Sequence, residues 1–332
     1  MPGLHVANAS ALQPAVESLG ASEGQLEQMF ERCGLPPAMV PLPTGIVTLY
    51  CAERFLELAH WSAGEDTFCF QSFDKEEMRP ASVVANAPLP VGLTGLDAAR
   101  QFARSLDGVI TGARFYCSVD SKHAWILRST SATTYSDNWS VLQYNLRAIV
   151  SGMKRLYAGR IAPVSLKLPA GYKTGRLPEE LCHLQRMDGV AEFGIGYSIA
   201  DVTMATTIPK QVRQGEMLHR PLATTSARHV AACLLMLLET GDTSRLANRA
   251  ARTFGVSLRT YQRRLRKMGT THAEILEQAR LTLALQRLAD PFVGVTEIAG
   301  ELGYLYPGHF TRFFKRNMGL SPVRYRQLLS GG

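Results

Sequence analysis

Two segments in the last third of the chain repeat the same order of small, apolar, glycine and basic positions. The first covers residues 245–267 and the second covers residues 295–315. In both, an amphipathic stretch ends at a glycine and a more basic amphipathic stretch follows. A glycine in this place adopts the left-handed conformation that ends one helix and starts a tight turn. The repeat therefore predicts two helix-turn-helix units in one polypeptide.

The first unit is centred on Gly255. Its first helix has apolar residues at every fourth position, namely Leu246, Ala250 and Phe254. Either Thr243 or Ser244 is the predicted N-cap of this helix, and Ser257 is the predicted N-cap of the next one. The second helix is predicted at residues 258–268.

The second helix of this unit has two different faces. Its apolar face carries Tyr261, Leu265 and Met268. Its other face carries Arg259, Gln262, Arg263 and Arg266. Arginine forms paired hydrogen bonds to guanine, and glutamine forms them to adenine, in the major groove. This face is therefore a candidate recognition surface for DNA.

The second unit has the same design around Gly303. Its apolar positions are Ile298, Ala299 and Leu302 before the glycine and Phe310 and Phe314 after it. Pro307 suits the first turn of the second helix, where no backbone amide donor is needed. The side chains predicted to be available to DNA are His309, Thr311, Arg312, Lys315 and Arg316.

A segment rich in Leu, Ala, Gln and Glu separates the two units. It covers residues 272–289 and is then broken by Asp290-Pro291. One rigid helix of this length spans roughly 27 Å at about 1.5 Å per residue. Successive major-groove faces of B-DNA are roughly 34 Å apart. The spacing predicts that the two units can enter adjacent major grooves.

The positive charge of the chain is concentrated in the same region. Residues 221–332 hold 16 lysines and arginines against 7 aspartates and glutamates, a net charge of +9, whereas residues 1–220 hold 20 against 21, a net charge of −1. Localised basic charge attracts phosphate backbones, and this attraction weakens as salt increases. The charge distribution therefore supports DNA binding over an ordinary solvated helix face.

Three segments around the second unit match a known signature. They are VTEIAGELGY (295–304), FTRFFKR (310–316) and GLSPVRYR (319–326). Residues 227–327 resemble the DNA-binding half of the AraC/XylS transcription regulators, in which a linker helix joins two helix-turn-helix units. The resemblance implies base contacts by Arg259, Gln262, Arg263, His309, Thr311 and Arg312. The chain departs from the family pattern at residues 305–308, where Leu-Tyr-Pro-Gly replaces small or acidic capping residues.

The first two thirds of the chain predict a mixed α and β domain. Helices are predicted at residues 11–19, 23–33, 47–62, 96–106, 139–157 and 178–186. Strands are predicted at residues 67–73, 113–118, 124–129, 164–168 and 191–199, with a hairpin turn at Asp120. This order, with the landmarks CGLPP (33–37) and LKLP (166–169), resembles the effector-binding and dimerisation domain of the ornithine-utilisation-regulator branch of the family.

Aromatic side chains in this half are compatible with a small-molecule pocket and with an ordinary core. They are Trp61, Phe68, Phe70, Phe115, Tyr116, Trp125, Trp139 and Tyr144. The core interpretation is favoured for each of them. The effector-binding residues are therefore left unassigned.

The sequence supplies no pattern typical of catalysis. Gly194 and Gly196 are only two of the three glycines of a dinucleotide fingerprint, and neither a G-x-S-x-G elbow nor an H-E-x-x-H pair occurs. The six cysteines include no C-x-x-C pair, so free buried thiols are predicted rather than disulfides or a zinc site. We predict no enzyme activity, no cofactor and no metal. An enzyme tethered to DNA by its basic region is the competing interpretation.

Together these features predict an α+β N-terminal effector domain followed by an all-α double helix-turn-helix DNA-binding domain. Residues 1–220 are assigned to effector binding and dimerisation, with a linker at residues 209–226, and residues 221–332 to an AraC-type DNA-binding domain that begins with a helix at 227–240. The chain contains no signal-peptide pattern, so a cytoplasmic location is expected.

The predicted function is that of a sequence-specific transcription regulator that activates a metabolic operon in response to a ligand. The expected partners are double-stranded promoter or operator DNA, a small-molecule effector, RNA polymerase and a second copy of the chain in a homodimer, with no membrane. The alternative is a constitutive or non-specific DNA-binding protein with an N-terminal interaction domain. A specific-to-nonspecific affinity ratio near one would favour that alternative.

Overall fold

The computed structural model describes residues 4–35, 45–72, 95–107, 109–130, 139–169, 177–190, 192–204, 227–240 and 243–330. The chain divides into two compact units. The N-terminal unit comprises Met1–Cys33 and Met39–Thr224, and the C-terminal unit comprises Gly34–Ala38 and Thr225–Gly332. Within the described ranges, no helix combines the length and the apolar character that crossing a membrane requires.

The N-terminal unit contains both helices and strands. Its helices are a 3₁₀ helix at Ala9–Leu12 and the α-helices α1 (Gln13–Leu19), α2 (Glu23–Cys33), α3 (Leu49–Ala63), α4 (Phe68–Gln71), α5 (Gly95–Asp107), α6 (Trp139–Leu156), α7 (Glu179–Cys182) and α8 (Ile199–Met204). Its strands are β1 (Val6–Asn8), β2 (Ile46–Thr48), β3 (Ala113–Val119), β4 (His123–Thr130), β5 (Pro163–Pro169), β6 (Gln185–Val190) and β7 (Phe193–Ser198).

The larger sheet of this unit has the strand order β3-β4-β7-β5-β6. Strands β5 and β6 pair in parallel, and the other neighbouring strands pair antiparallel. In the centre, Trp125 of β4 is paired with Gly196 of β7, and a Cβ atom at Gly196 would lie 2.8 Å from the indole ring. This close approach explains Gly196 as a packing residue of the sheet. Strands β1 and β2 form a separate antiparallel pair that leads directly into α3.

The predicted hairpin of β3 and β4 is confirmed, and Asp120 fixes its turn. The Asp120 carboxylate accepts hydrogen bonds from Nε1 of Trp125 at 2.7 Å and from the backbone amides of Lys122 and His123 at 2.8 Å each. These donors, with the Trp125 indole contributing most, hold the pKa of Asp120 well below its usual value. The aspartate is therefore ionised in this turn at neutral pH.

Helix α6 is the central helix of the N-terminal unit and packs against α3, α4, α5 and β7. Its buried apolar positions recur at helical spacing: Leu142, Leu146, Ile149, Val150 and Met153. The Tyr144 hydroxyl of the same helix donates a hydrogen bond to the backbone carbonyl of Ala11 at 2.6 Å. This bond fixes α6 against the 3₁₀ helix that precedes α1.

The C-terminal unit is helical throughout its described residues. Its helices are α9 (Ala227–Glu239), α10 (Leu246–Thr253), α11 (Leu258–Lys267), α12 (His272–Ala289), α13 (Val295–Glu301), α14 (Pro307–Met318) and α15 (Pro322–Ser330). The apolar residues predicted from the two patterns are buried, except that Met268 is half-buried. The predicted fold class, an α+β region followed by an all-α region, is confirmed.

Two predicted elements of the N-terminal unit are wrong. Residues 67–73, predicted as a strand, contain the short helix α4, because a run as short as Phe68–Gln71, in which three consecutive residues are buried, has no periodicity that separates helix from strand. Residues 178–186, predicted as one helix, are helical only in α7. Gln185 already belongs to β6, because pairing with β5 replaces the helix there.

Several other features differ from the sequence-based expectations. Strands β1, β2 and β6 and helices α8 and α15 were not predicted. All six cysteines are free, but Cys182 is exposed and Cys117 is half-buried, so burial holds for the other four. The predicted linker at residues 209–226 lies outside the described residues.

Gly303 is expected to tolerate substitution poorly. It follows α13 with φ of 80°, and a Cβ atom there would lie 2.8 Å from Cβ of Thr243. Gly303→Ala should therefore lower the free energy of unfolding by about 1–3 kcal/mol. Gly308→Ala is the matched control, because the space around Gly308 is open, and it should leave stability unchanged or raise it by up to about 1 kcal/mol.

Native-state hydrogen exchange of peptides from α13 and α14, in the full-length protein, measures both effects locally. Equal protection in Gly303→Ala and in the parent protein would show that neither the backbone conformation nor the Thr243 contact requires glycine.

Candidate nucleic-acid interface

The turn of the first helix-turn-helix unit is closed by backbone hydrogen bonds. Gly255 has φ of 62°, and the amide of Val256 donates to the carbonyl of Ala251 at 3.0 Å. Ser257 then caps α11, because its Oγ accepts a hydrogen bond from the amide of Thr260 at 3.2 Å. The predicted turn glycine and the predicted N-cap of the second helix are both confirmed.

The start of α10 differs from the prediction. Its N-cap is Arg245, in a left-handed conformation with φ of 46° and with no side-chain capping hydrogen bond. Neither Thr243 nor Ser244 occupies the N-cap position, so that prediction is wrong. The Thr243 side chain lies beside Gly303, in the turn of the second unit, instead.

Helix α11 buries one face and exposes the other. Tyr261 and Leu265 are fully buried, and the Tyr261 hydroxyl lies 3.1 Å from Nδ1 of His272. Burial lowers the pKa of His272, which favours the neutral ring that can accept this hydrogen bond. The exposed side chains are Arg259, Gln262, Arg263 and Arg266. Because they are three and four residues apart, they project from one side of the helix.

The arginines on this face carry charges that the described residues do not neutralise. No carboxylate in those ranges forms an ion pair with Arg259, Arg263 or Arg266. Their guanidinium groups therefore keep their full attraction for an anionic partner. The planar fork of each group also suits paired hydrogen bonds to a base edge or to a phosphate.

The second unit repeats the closure of the first. Gly303 has φ of 80°, and the amide of Tyr304 donates to the carbonyl of Ala299 at 2.9 Å, the same five-residue bond as in the first turn. Pro307 occupies the first turn of α14, as predicted. Phe310 and Phe314 are fully buried. The two turns thus use the same backbone device.

The side chains of α14 that were predicted to contact DNA are not equally available for such a contact. His309, Arg312 and Lys315 are exposed. Thr311 is half-buried, and its hydroxyl donates to the carbonyl of Pro307 at 3.1 Å. Arg316 is exposed but forms an ion pair with Glu277 of α12. The exposed face of α14 is therefore less strongly basic than that of α11.

Helix α12 is fixed at its start by a reciprocal capping box. The hydroxyl of Thr271 accepts from the amide of Glu274 at 3.3 Å, and the Glu274 carboxylate accepts from the amide of Thr271 at 2.8 Å. This cap begins α12 a few residues after α11 ends. Helix α12 then runs over residues His272–Ala289, the range predicted for the linker helix.

Polar contacts attach α12 to the second unit. Glu277 accepts hydrogen bonds from Arg316 and from Asn317, and these donors lower its pKa. Further along, Nε of Arg287 lies 2.9 Å from Oε2 of Glu301 in α13. These α12 residues were missed by the sequence reading, because charged positions on a helix of mixed composition are also typical of a solvated face. Glu277 and Arg287 are ten residues apart, which is about 80° around the helix axis, so their spacing gives no signal that marks them as a pair.

Comparison with known proteins identifies this region. A family model described as a helix-turn-helix domain matches residues 250–328. That range runs from the second half of α10 into α15 and includes both turns and both exposed basic faces. The C-terminal region is an AraC-type helix-turn-helix domain. The resemblance predicted from the sequence is confirmed for this region.

One curated relative supports the same assignment. The ornithine utilization regulator of Pseudomonas aeruginosa is 37% identical over 93 residues, which are 28% of this chain and 27% of that protein. The chain thus matches about a quarter of the length of this relative.

Two solved structures are also similar in part. The DNA-binding transcriptional dual regulator from Escherichia coli K-12 has 18% identity, covers 31% of this chain and 94% of its own, and has a TM-score of 0.29. The transcriptional regulator CdpR from Pseudomonas aeruginosa has 18% identity, covers 92% of this chain and 98% of its own, and has a TM-score of 0.32.

The Glu277–Arg316 pair generates a test of the AraC-type domain. Glu277→Gln keeps the size of the side chain but removes its charge, so Arg316 becomes available to phosphate. We expect the variant to bind random duplex DNA more tightly. The slope of log affinity against log salt concentration should steepen by up to about 1.

Glu239→Gln provides the matched control, because it removes one negative charge from an exposed position at the end of α9. Fluorescence anisotropy at several salt concentrations measures both variants. The same gain in both would mean that net charge, and not the release of Arg316, controls the affinity.

Proposed function

We propose that this protein is a sequence-specific DNA-binding transcription regulator whose N-terminal unit binds a small-molecule effector. One observation carries the proposal: two helix-turn-helix units of the same domain each bury an apolar face and expose a basic or polar one. The exposed side chains of α11 are arginine and glutamine, the residue types that read guanine and adenine in the major groove. Half or more of the polar contacts in such complexes go to phosphates, which suits the remaining charge.

The length of α12 supports a two-site mode of binding. With 18 residues and about 1.5 Å of rise per residue, the helix spans roughly 27 Å. Adjacent major-groove faces on one side of B-DNA are roughly 34 Å apart. The length of α12 is thus of the same order as the groove separation, which favours binding of the two units in neighbouring grooves.

Regulation by an effector completes the proposal. The relative from Pseudomonas aeruginosa is named as a regulator of ornithine utilization. By extension, we propose that this chain regulates a metabolic operon. We also propose that it activates transcription through RNA polymerase and binds DNA as a homodimer. An effector changes DNA binding only as far as it binds one arrangement of the protein better than another. A cytoplasmic location and the assignment of residues 1–220 to effector binding and 221–332 to DNA binding belong to the same proposal.

Selection from genomic DNA tests the proposal directly. The full-length protein is mixed with fragments of its own genome at moderate salt, and the retained fragments are sequenced. We expect a few enriched sites, each with two sequence boxes about one helical turn apart. Uniform retention would replace the proposal by non-specific DNA binding. Genes beside the enriched sites would indicate the class of effector.

Arg263 is the residue chosen to test base readout. Arg263→Ala should weaken binding to an enriched site by about 1–3 kcal/mol while binding to random DNA changes much less. Arg324→Ala removes the same charge from α15, outside the two reading helices, and should weaken both kinds of DNA similarly. Competition anisotropy with specific and scrambled duplexes measures the ratio. An equal loss on both duplexes would reassign Arg263 to a phosphate contact.

A further inference from the structure

The N-terminal unit contains a cavity of about 80 Å³. The 3₁₀ helix, α1, α3, α5, β3, β4 and α6 contribute to its wall. Most of the wall is apolar, including Leu12, Leu49, Leu56, Ile110, Phe115 and Val141. A water molecule needs about 10–15 Å³ on this measure, so the cavity has room for a small molecule of a few heavy atoms.

Two charged side chains interrupt this apolar wall. They are Glu53 of α3, which is 6% exposed, and Arg128 of β4, which is 1% exposed. Their closest atoms, Oε1 of Glu53 and Nη2 of Arg128, are 3.9 Å apart. This separation is at the limit for an ion pair and is too long for a hydrogen bond. The Arg128 guanidinium also lies over the rings of Phe115 and Phe193, which holds it at the cavity.

Oε1 of Glu53 lacks a hydrogen-bond donor within the described part of the chain. The atom is buried and accepts no hydrogen bond from any residue in the described part of the chain. Burial raises the pKa of Glu53 to about 7, and the attraction of Arg128 offsets this only in part. A buried carboxylate oxygen without a hydrogen-bond donor is costly, so a donor supplied from the cavity to Oε1 would be favoured.

The opposite charges of Glu53 and Arg128 restrict the net charge of a ligand that supplies this donor. An ammonium compound without a negative group would place a second buried positive charge near Arg128. Above pH 7, where Glu53 is ionised, a simple carboxylate would place a second buried negative charge near it. Either ligand leaves the low-dielectric site with an unbalanced charge. A ligand without net charge avoids this cost.

We propose that the cavity binds a small ligand without net charge, whose polar head donates a hydrogen bond to Glu53 and whose apolar body fills the rest of the cavity. The head is a hydroxyl group or a zwitterionic amino acid group, since both combine a donor with an acceptor for Arg128. This inference rests on the proposed function, because the cavity is then the effector site. The remaining polar lining groups, Tyr144 and Asn145, belong to α6.

Four small probes with the same branched body separate the possibilities. They are L-valine as the zwitterion, 2-methylpropan-1-ol as the alcohol, isobutylamine as the cation and isobutyrate as the anion. Ligand-observed nuclear magnetic resonance titrations on the full-length protein at about pH 8, where Glu53 is ionised, give their affinities. We expect valine or the alcohol to bind at least about tenfold more tightly than both charged probes. The tighter of the two neutral probes identifies the head group.

Glu53→Gln should lower the affinity for the tighter-binding neutral probe by about tenfold or more. Glu57→Gln is the matched control, because Glu57 is exposed one helical turn further along α3. Should Glu53→Gln fail to fold, Ala148→Leu keeps the inference testable. Ala148 is a half-buried residue of the cavity wall, and a larger side chain there should abolish binding by filling the space without changing the charged pair.

The pH dependence adds a readout that a purely structural carboxylate would not give. A donor from the ligand favours ionised Glu53, so the affinity should rise from about pH 6 to about pH 8, through the pKa of this group. Arg128 from β4 and Tyr144 from α6 are the other titratable groups of the described cavity wall. Tyr144 has a pKa far above this range, and arginine stays charged, so neither accounts for a change there.

The inference is overturned if a charged probe binds as tightly as the neutral ones, if no probe binds, or if Glu53→Gln and Glu57→Gln behave alike. Its failure is distinguishable from failure of the proposed function, because the same protein is tested separately for selection of genomic DNA. Selective DNA retention without probe binding would remove only the cavity assignment. Probe binding without DNA retention would instead remove the proposed regulator.

Discussion

The rigidity of α12 is the constraint on which the C-terminal unit depends. Its start is fixed by the Thr271–Glu274 capping box and by contact between His272 and Tyr261 of α11. Its second turn contacts the second unit through Glu277, and its last turn does so through Arg287. Since the second unit contacts α12 both near its start and near its end, this unbroken helix fixes how the two helix-turn-helix units are joined. Variation in reading geometry would require breaking α12 or these contacts.

The N-terminal unit carries a different kind of constraint. A cluster of apolar residues encloses a carboxylate and a guanidinium whose separation is too long for a good hydrogen bond. Apolar residues of the same volume at both positions would often be as stable or more stable. A buried carboxylate with a raised pKa, beside a charged partner and a cavity, is the kind of group that functional sites use.

Local patterns in the sequence predict much of this molecule. Gly255 and Gly303 mark their turns because the left-handed backbone conformation at each position is a local requirement. The bounds of α2 and α12 were predicted from helix-favouring composition and from the prolines that follow each segment. Strands β1 and β2 could not be predicted, since each has three residues and exists only through pairing with the other, distant strand. The N-cap of α10 was predicted wrongly for a related reason. Thr243 lies against Gly303, and local sequence patterns do not predict a contact between residues so far apart in the chain.

The residues that line the cavity could also be predicted only in part from the sequence. Phe115 and Tyr144 line it, whereas Trp61, which was equally eligible from sequence, is 74% exposed. Glu53 lies on the apolar face of α3, between Leu49 and Leu56, and this interruption is the one signal the sequence contains. What the sequence cannot show is that Arg128, on a different element, comes to lie beside it.

Under the proposed function, the unmet hydrogen bond of Glu53 also provides a source of differential affinity for an effector. In the absence of a donor, the arrangement that buries Glu53 is penalised relative to one that hydrates the carboxylate. A ligand that supplies the donor removes this penalty only in the arrangement that encloses it, so its binding favours closure of α3, β4 and α6 around the cavity. The free energy available for regulation is then limited by that difference, which is typically about 1–3 kcal/mol in allosteric proteins.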